Sequence, residues 1–274
     1  IITYLWWSVG LHDRSHRELN IFYTVNYLMS LGLLIASVFT SYEAAIRLWI
    51  FVLLLNLTPP LTGARKIVRV LNNRGQVFSA SATLVERFGL FTIIVLAETV
   101  LGAVSGITAV KDRQLIVWIA FVLAILVAFL LWSIYFDMTS EQETKPGYHH
   151  MQWLIFLHFP LLASFSSAGG CMKVLLSDLT TGPSVAVQWI FCISLAVTLF
   201  SIFGLTRIMK EEEEDRSYIR PASAVLLLSG AGLLVLPLLG MHFSAVALLG
   251  TAAALLFLPV CVGIAGWVRY KFGD

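Results

Sequence analysis

The stretch that decides the fold runs from Glu86 to Ala109 and reads ERFGLFTIIVLAETVLGAVSGITA. As a helix rising about 1.5 Å per residue it is about 36 Å long, enough to cross a hydrocarbon core about 30 Å thick. Past its first turn it carries one ionisable residue, Glu98. Similar stretches lie on both sides. Gln114–Asp137, Tyr148–Leu176, Ser184–Ile208, Pro221–Met241 and His242–Trp267 follow it; Asn20–Thr40 and Ala44–Leu61 precede it. Ala44–Leu61 is the least regular, because Arg47 sits near its start and Pro59-Pro60 is expected to stop it. The expected fold is all-α: a polytopic transmembrane helical bundle of eight full spans, forming one transmembrane domain over residues 1–274. The apolar stub Ile1–Gly10 is too short to span and reads as the last turns of a helix that begins upstream.

The composition agrees. Apolar residues make up 58% of the 274 and charged residues 12%, with a mean hydropathy of +0.86. A soluble domain carries about 25% charge, so the solvent for this surface is the lipid bilayer. A net charge of +2 gives no general attraction for nucleic acid. Cys171, Cys192 and Cys261 lie in or beside apolar runs without metal-ligand spacing and read as small buried side chains. Nothing in the sequence calls for a cofactor.

Lysine and arginine set the expected orientation. Successive connections alternate sides. One side collects Arg14, Arg17, Arg65, Lys66, Arg69, Arg74, Arg87, Lys145, Arg207, Lys210, Arg216, Arg220, Arg269 and Lys271; the other has only Arg47, Lys111, Arg113 and Lys173. The first side, with the C-terminus, is expected in the cytoplasm. The acidic run Glu211–Asp215 reads as a solvated loop. Gly182-Pro183 and Lys145-Pro146-Gly147 read as turns, and Pro221 as a helix start. The last two spans have almost no loop between them and should form a tight antiparallel hairpin.

Polar groups inside spans are costly, about 2.5–3.5 kcal/mol for a central charged residue, and usually face protein or a water cavity. Glu98 lies about 18 Å from the start of its segment and His158 about 15 Å from Tyr148, so the two are expected at similar depth. If they meet, they form a proton-holding couple or two ligands of a cation. Otherwise each is satisfied separately by a carbonyl, water or hydroxyl. Asn56, also near mid-depth, either lines the same cavity or supplies an interhelical hydrogen bond. A second group gathers at the span ends: Glu86, Arg87, Asp137, His149 and His150. Arg87 and Asp137 are placed to form an ion pair. Arg87 and Glu98, eleven residues apart, share a helix face, which gives either a polar path from mouth to midplane or a boundary anchor plus one buried acid. Gly102 and Gly106 form a G-x-x-x-G pair that permits close helix approach. The tryptophans fall mostly near span ends, as interfacial anchors do.

Three runs carry a resemblance. Glu86-Arg87-Phe88-Gly89-Leu90-Phe91-Thr92-Ile93-Ile94-Val95-Leu96-Ala97-Glu98 resembles the E-R-F-G-x-F-x-I-I-x-L-G-E hallmark of the bacterial low temperature requirement A (LtrA) family. Trp132-Ser133-Ile134-Tyr135-Phe136-Asp137 is similar to that family's W-x-x-Y-F-D, and His158-Phe159-Pro160 to its H-x-P element. Order and spacing agree, from about Ala44 to Leu176. Ala97 replaces the usual glycine, and the family's N-terminal acidic-aromatic motif, of the type E-L-F-F-D-L-V-F, would lie upstream of Ile1. The resemblance implies a multi-helix inner-membrane protein associated with growth in the cold, without a settled biochemical activity.

Three functions are compatible with these residues. A transporter or channel-like protein would use the midplane Glu98 and His158, with proline-interrupted spans, to couple to a proton or small cation. An intramembrane enzyme acting on a lipid would use the same carboxylates and histidines as metal ligands or acid and base; their spread over two depths, and the lack of a G-x-S-x-G motif, weigh against it. A non-catalytic subunit would bind a membrane-protein partner.

Overall fold

The computed structural model describes residues 17–73, 80, 82–111, 114–139, 143–177, 179, 182–210, 216–239 and 243–272. The expectations for Ile1–Gly10 and for Glu211–Asp215 fall outside these residues. Eight α-helices are described: α1 Arg17–Ser37, α2 Tyr42–Asn73, α3 Ala82–Ala109, α4 Leu115–Thr139, α5 Tyr148–Ser177, α6 Val185–Ile208, α7 Arg216–Leu238 and α8 Ala245–Phe272. Among the described residues the one extended pairing is an isolated bridge between Thr144 and Met209.

Six stretches are long and apolar enough to cross a membrane: Thr83–Ala109, Leu115–Thr139, Tyr148–Ser177, Val185–Ile208, Pro221–Leu238 and Ala245–Arg269. Six of the eight expected full spans are shown among the described residues; the two expected in α1 and α2 are not. α1 carries a shorter apolar stretch, Tyr23–Ser37, among the described residues. Ala44–Leu61 becomes part of the longer α2, which runs through Pro59-Pro60 to Asn73 instead of stopping. Pro59 has no N–H for the carbonyl of Leu55; the Thr58 hydroxyl donates to that carbonyl instead, at 2.7 Å. α7 likewise starts at Arg216, before Pro221.

The chain divides into two compact units, Ile1–Phe78 and Ser79–Asp274. In the first, α1 and α2 form an antiparallel pair joined by side-chain hydrogen bonds. Asn26 Nδ2 donates to Asn56 Oδ1 (3.2 Å), Asn56 Nδ2 donates to Ser30 Oγ (2.9 Å), and Trp49 Nε1 donates to Ser37 Oγ (2.9 Å). Asn56 therefore serves as interhelical glue.

In the second unit α4 shows how an all-apolar helix chooses an inside. Seven of its eleven buried residues, Val117, Ala120, Ala124, Val127, Leu131, Ile134 and Met138, recur at steps of three and four, and the other four lie beside them on the same side. The residues turned outward are equally apolar, and Leu115, Val122 and Phe129 among them are more than half exposed, as a lipid-facing surface requires. Small residues set the closest contact, where α3 lies against α5. A Cβ on Gly102 would run into the Gly169 carbonyl oxygen, and one on Gly106 would fall 2.8 Å from that of Lys173. The G-x-x-x-G pair is thus used as expected.

The ends of these helices group as alternation predicts. Lys145 N donates to Ile208 O (2.9 Å) and Lys210 N to Glu143 O (2.7 Å), clasping the α4–α5 connection to the end of α6. Gly147 and Gly182, at φ 125° and 71°, make the two anticipated turns. Cys171 and Cys192 are buried; Cys261 is exposed, against expectation, because α8 turns that residue outward.

Candidate functional site

Two polar stations lie along the α3–α5 seam. The first is built around His158, only 2% exposed. Its Nδ1 lies 2.7 Å from Leu154 O and its Nε2 lies 3.0 Å from Tyr135 Oη. A carbonyl only accepts, so Nδ1 carries the proton; in the neutral ring Nε2 then accepts from the Tyr135 hydroxyl. The Phe88 ring covers the imidazole with 4.5 Å between centroids, and the Tyr135 ring meets it edge-on at 6.0 Å. All the partners come from the three motifs that carried the resemblance or from the turn just before His158. The station joins α3, α4 and α5.

Glu98 forms the second station. Its side chain is exposed on the surface of the unit, and Ser166 Oγ donates to Oε2 at 2.8 Å. Next to it the fully buried Thr99 donates to Phe165 O at 3.2 Å, a second tie from α3 to α5. Glu98 is near the middle of the span Thr83–Ala109. One hydroxyl satisfies one of roughly four acceptor sites on an ionised carboxylate. Among the described residues no hydrogen-bond partner is seen for Oε1.

No hydrogen bond joins Glu98 to His158; each has separate partners. The expectation of equal depth fails because the register is set by glycine packing, not by where the apolar runs begin. Phe88 is level with His158, Glu98 with Ser166 and Gly102 with Gly169. Ser166 is eight residues beyond His158, about 12 Å along the helix.

The span-end group does not assemble as expected either. Glu86 and Arg87 are exposed in the first turns of α3. Arg87 does not pair with Asp137; the ion pair among the described residues is Lys210–Glu143, exposed and 3.1 Å long. Asp137 Oδ2 accepts from Ser133 Oγ at 2.7 Å. Two residues on a helix differ by about 200° in direction, so with Tyr135 turned to α5, Asp137 faces away, toward a cavity that α4 shares with α7 and α8. His150 Nδ1 donates to Pro146 O at 3.0 Å and closes the turn before α5, and His149 accepts from Trp153 Nε1. Among the described residues no three His, Cys, Asp or Glu side chains converge as metal ligands.

Sequence reasoning missed Ser166, one of many span serines. It also quoted Tyr135 and Phe88 in motifs without placing them against His158. The signal available was the three-motif pattern itself: an aromatic, a tyrosine and a histidine on three successive spans.

No curated protein and no solved structure matches the chain. With six apolar helices of spanning length, the chain is a multi-pass integral membrane protein of a bacterial membrane. The family model described as bacterial low temperature requirement A protein (LtrA) matches residues 1–258, well beyond the stretch where motifs were legible, and the chain belongs to that family.

Proposed function

We propose that this protein is a transporter or channel-like membrane protein in which the Glu98 carboxyl holds a proton or a small cation part-way across the bilayer. The observation that carries this reading is the mid-span carboxylate, oriented by the Ser166 hydroxyl and open at its other oxygen. A central charge costs about 2.5–3.5 kcal/mol on insertion scales and tends to be functional where it occurs. Glu86, Arg87 and His150 would stand at the mouth of the same seam. His158, sealed behind Phe88, acts as a fixed hinge of the seam and not as a partner of Glu98. The side rich in lysine and arginine, with the C-terminus, is placed in the cytoplasm of an inner membrane. A role in growth at low temperature belongs to the same proposal.

The test is flux in proteoliposomes. An internal pH dye reads proton movement under an imposed pH gradient, with sodium and potassium supplied in turn. Glu98→Gln should reduce pH-dependent flux at least tenfold and leave thermal unfolding in detergent nearly unchanged. Equal flux in the variant and the parent protein would remove the reading.

One observation favours a second reading, a non-catalytic subunit. Leu90, Phe91, Ile94 and Leu101 are exposed on α3 near Glu98, a surface that another membrane protein would cover. Co-purification of a partner at fixed stoichiometry, with no flux by the isolated protein, would favour it.

A further inference from the structure

The cavity beside Asp137 belongs to neither station. It holds about 300 Å3 and is walled by Ile134 and Met138 of α4, Ala222 of α7, and Pro259, Gly263 and Trp267 of α8, with Asp137 at one side. That is the low end of the size range of small-molecule sites. The cavity runs from near the middle of the α8 span, at Pro259, to an end where its walls meet the ends of three spans. Asp137 is close to Thr139, where the α4 span ends; Ala222 follows Pro221, where the α7 span begins; Trp267 is close to Arg269, where the α8 span ends. This is the level of lipid headgroups, where tryptophan is enriched.

The chemistry of the walls is two-sided. They are apolar apart from one carboxylate, and Ser133 occupies only Oδ2 of that carboxylate. A positive charge stands nearby on α8: Lys271 Nζ sits 4.8 Å from the centroid of the Trp267 ring and 5.8 Å from that of Phe272. Trp267 is itself a wall residue, so one side chain links the cavity to the Lys271 ammonium. The space is built into α8: a Cβ on Gly263 would meet nothing within 4 Å.

We infer that this cavity binds a membrane phospholipid with a primary ammonium headgroup, of the phosphatidylethanolamine class. The ammonium donates to Asp137, the phosphate faces Lys271, and the start of an acyl chain lies along Pro259 and Ile264. A charge-assisted N–H···O bond is about twice as strong as a neutral one. A quaternary choline cannot donate it, so the carboxylate discriminates between the two common zwitterionic headgroups.

The experiment uses the full chain in nanodiscs of phosphatidylethanolamine, phosphatidylcholine and phosphatidylglycerol in equal parts, with retained lipid counted by native mass spectrometry after release into mild detergent. Phosphatidylethanolamine should be retained over phosphatidylcholine by about tenfold, a single charge-assisted hydrogen bond. Asp137→Asn should remove that preference, and Lys271→Gln should weaken retention of both phospholipids. Gly263→Leu, which narrows the space without touching a charge, should reduce retention of every lipid and keeps the test decisive if Asp137→Asn fails to fold. Hexadecylamine, an amine without phosphate, should bind more weakly than the phospholipid and be insensitive to Lys271→Gln. Equal retention of the two zwitterionic lipids, a preference that survives Asp137→Asn, or tighter binding of hexadecylamine would each overturn the assignment.

Discussion

His158 and Glu98 lie on the same seam between α3 and α5, yet one is sealed and the other open. His158 has a partner on each ring nitrogen and an aromatic cover. Glu98 has one hydroxyl and an exposed face. A buried polar group without partners costs about 1–3 kcal/mol, so the sealed station has to be satisfied internally. A carboxylate at an open face can leave acceptor sites for something that comes and goes. The difference separates a group that holds helices together from a group suited to exchange, and the predicted changes in stability follow it.

The largest effect should come from the contact both stations depend on. Gly102→Ala drives a methyl group into the Gly169 carbonyl, so the helices must part. Thermal unfolding in detergent should show a loss of about 1–3 kcal/mol or more. A loss below about 0.5 kcal/mol, the range of ordinary surface changes, would mean that the seam is looser than described. Next is Tyr135→Phe, which leaves Nε2 of His158 buried without its donor. The expected cost is about 1–3 kcal/mol, with pH-dependent flux retained in whatever protein is folded. Loss of flux without loss of stability would reverse the roles of the two stations.

Thr99→Val removes one interhelical hydrogen bond beside Glu98 and should cost about 0.5–1.5 kcal/mol. Ser166→Ala sits at the open station and should change stability by less than about 0.5 kcal/mol. It should still alter the pH dependence of flux, because the Glu98 carboxylate loses the hydroxyl that orients it. A stability loss as large as that of Tyr135→Phe would show that Glu98 is as buried as His158 in the membrane, and the contrast between the stations would disappear.

Much of this was legible in the residues. The run from Glu86 to Ala109 announces a span, and Gly102 with Gly106 announces a close helix contact; both follow from local chemistry, through length, hydropathy and side-chain size. Asn56 was legible as glue for the same reason, since an amide in an apolar helix needs a partner and a neighbouring helix is the nearest source. The extent of α2 was not. Prolines at 59 and 60 argue for a stop, and the Thr58 hydroxyl that relieves the Leu55 carbonyl is visible only once the helix is built.

The sequence alone determined a membrane-embedded helical bundle, the ionisable groups its spans carry, and the motifs that mark the family. Those properties depend on composition and on distance along one helix, which a linear pattern records. Tertiary structure alone decided which groups are neighbours. Packing of Gly102 on Gly169 slides α5 along α3 until Glu98 is level with Ser166 and Phe88 with His158. The rotation of α4 sends Tyr135 to one side and Asp137 to the other. Register and rotation are set by interdigitating surfaces of different helices. A mismatch of eight residues moves a side chain about 12 Å, enough to put two groups expected at similar depth at two separate sites.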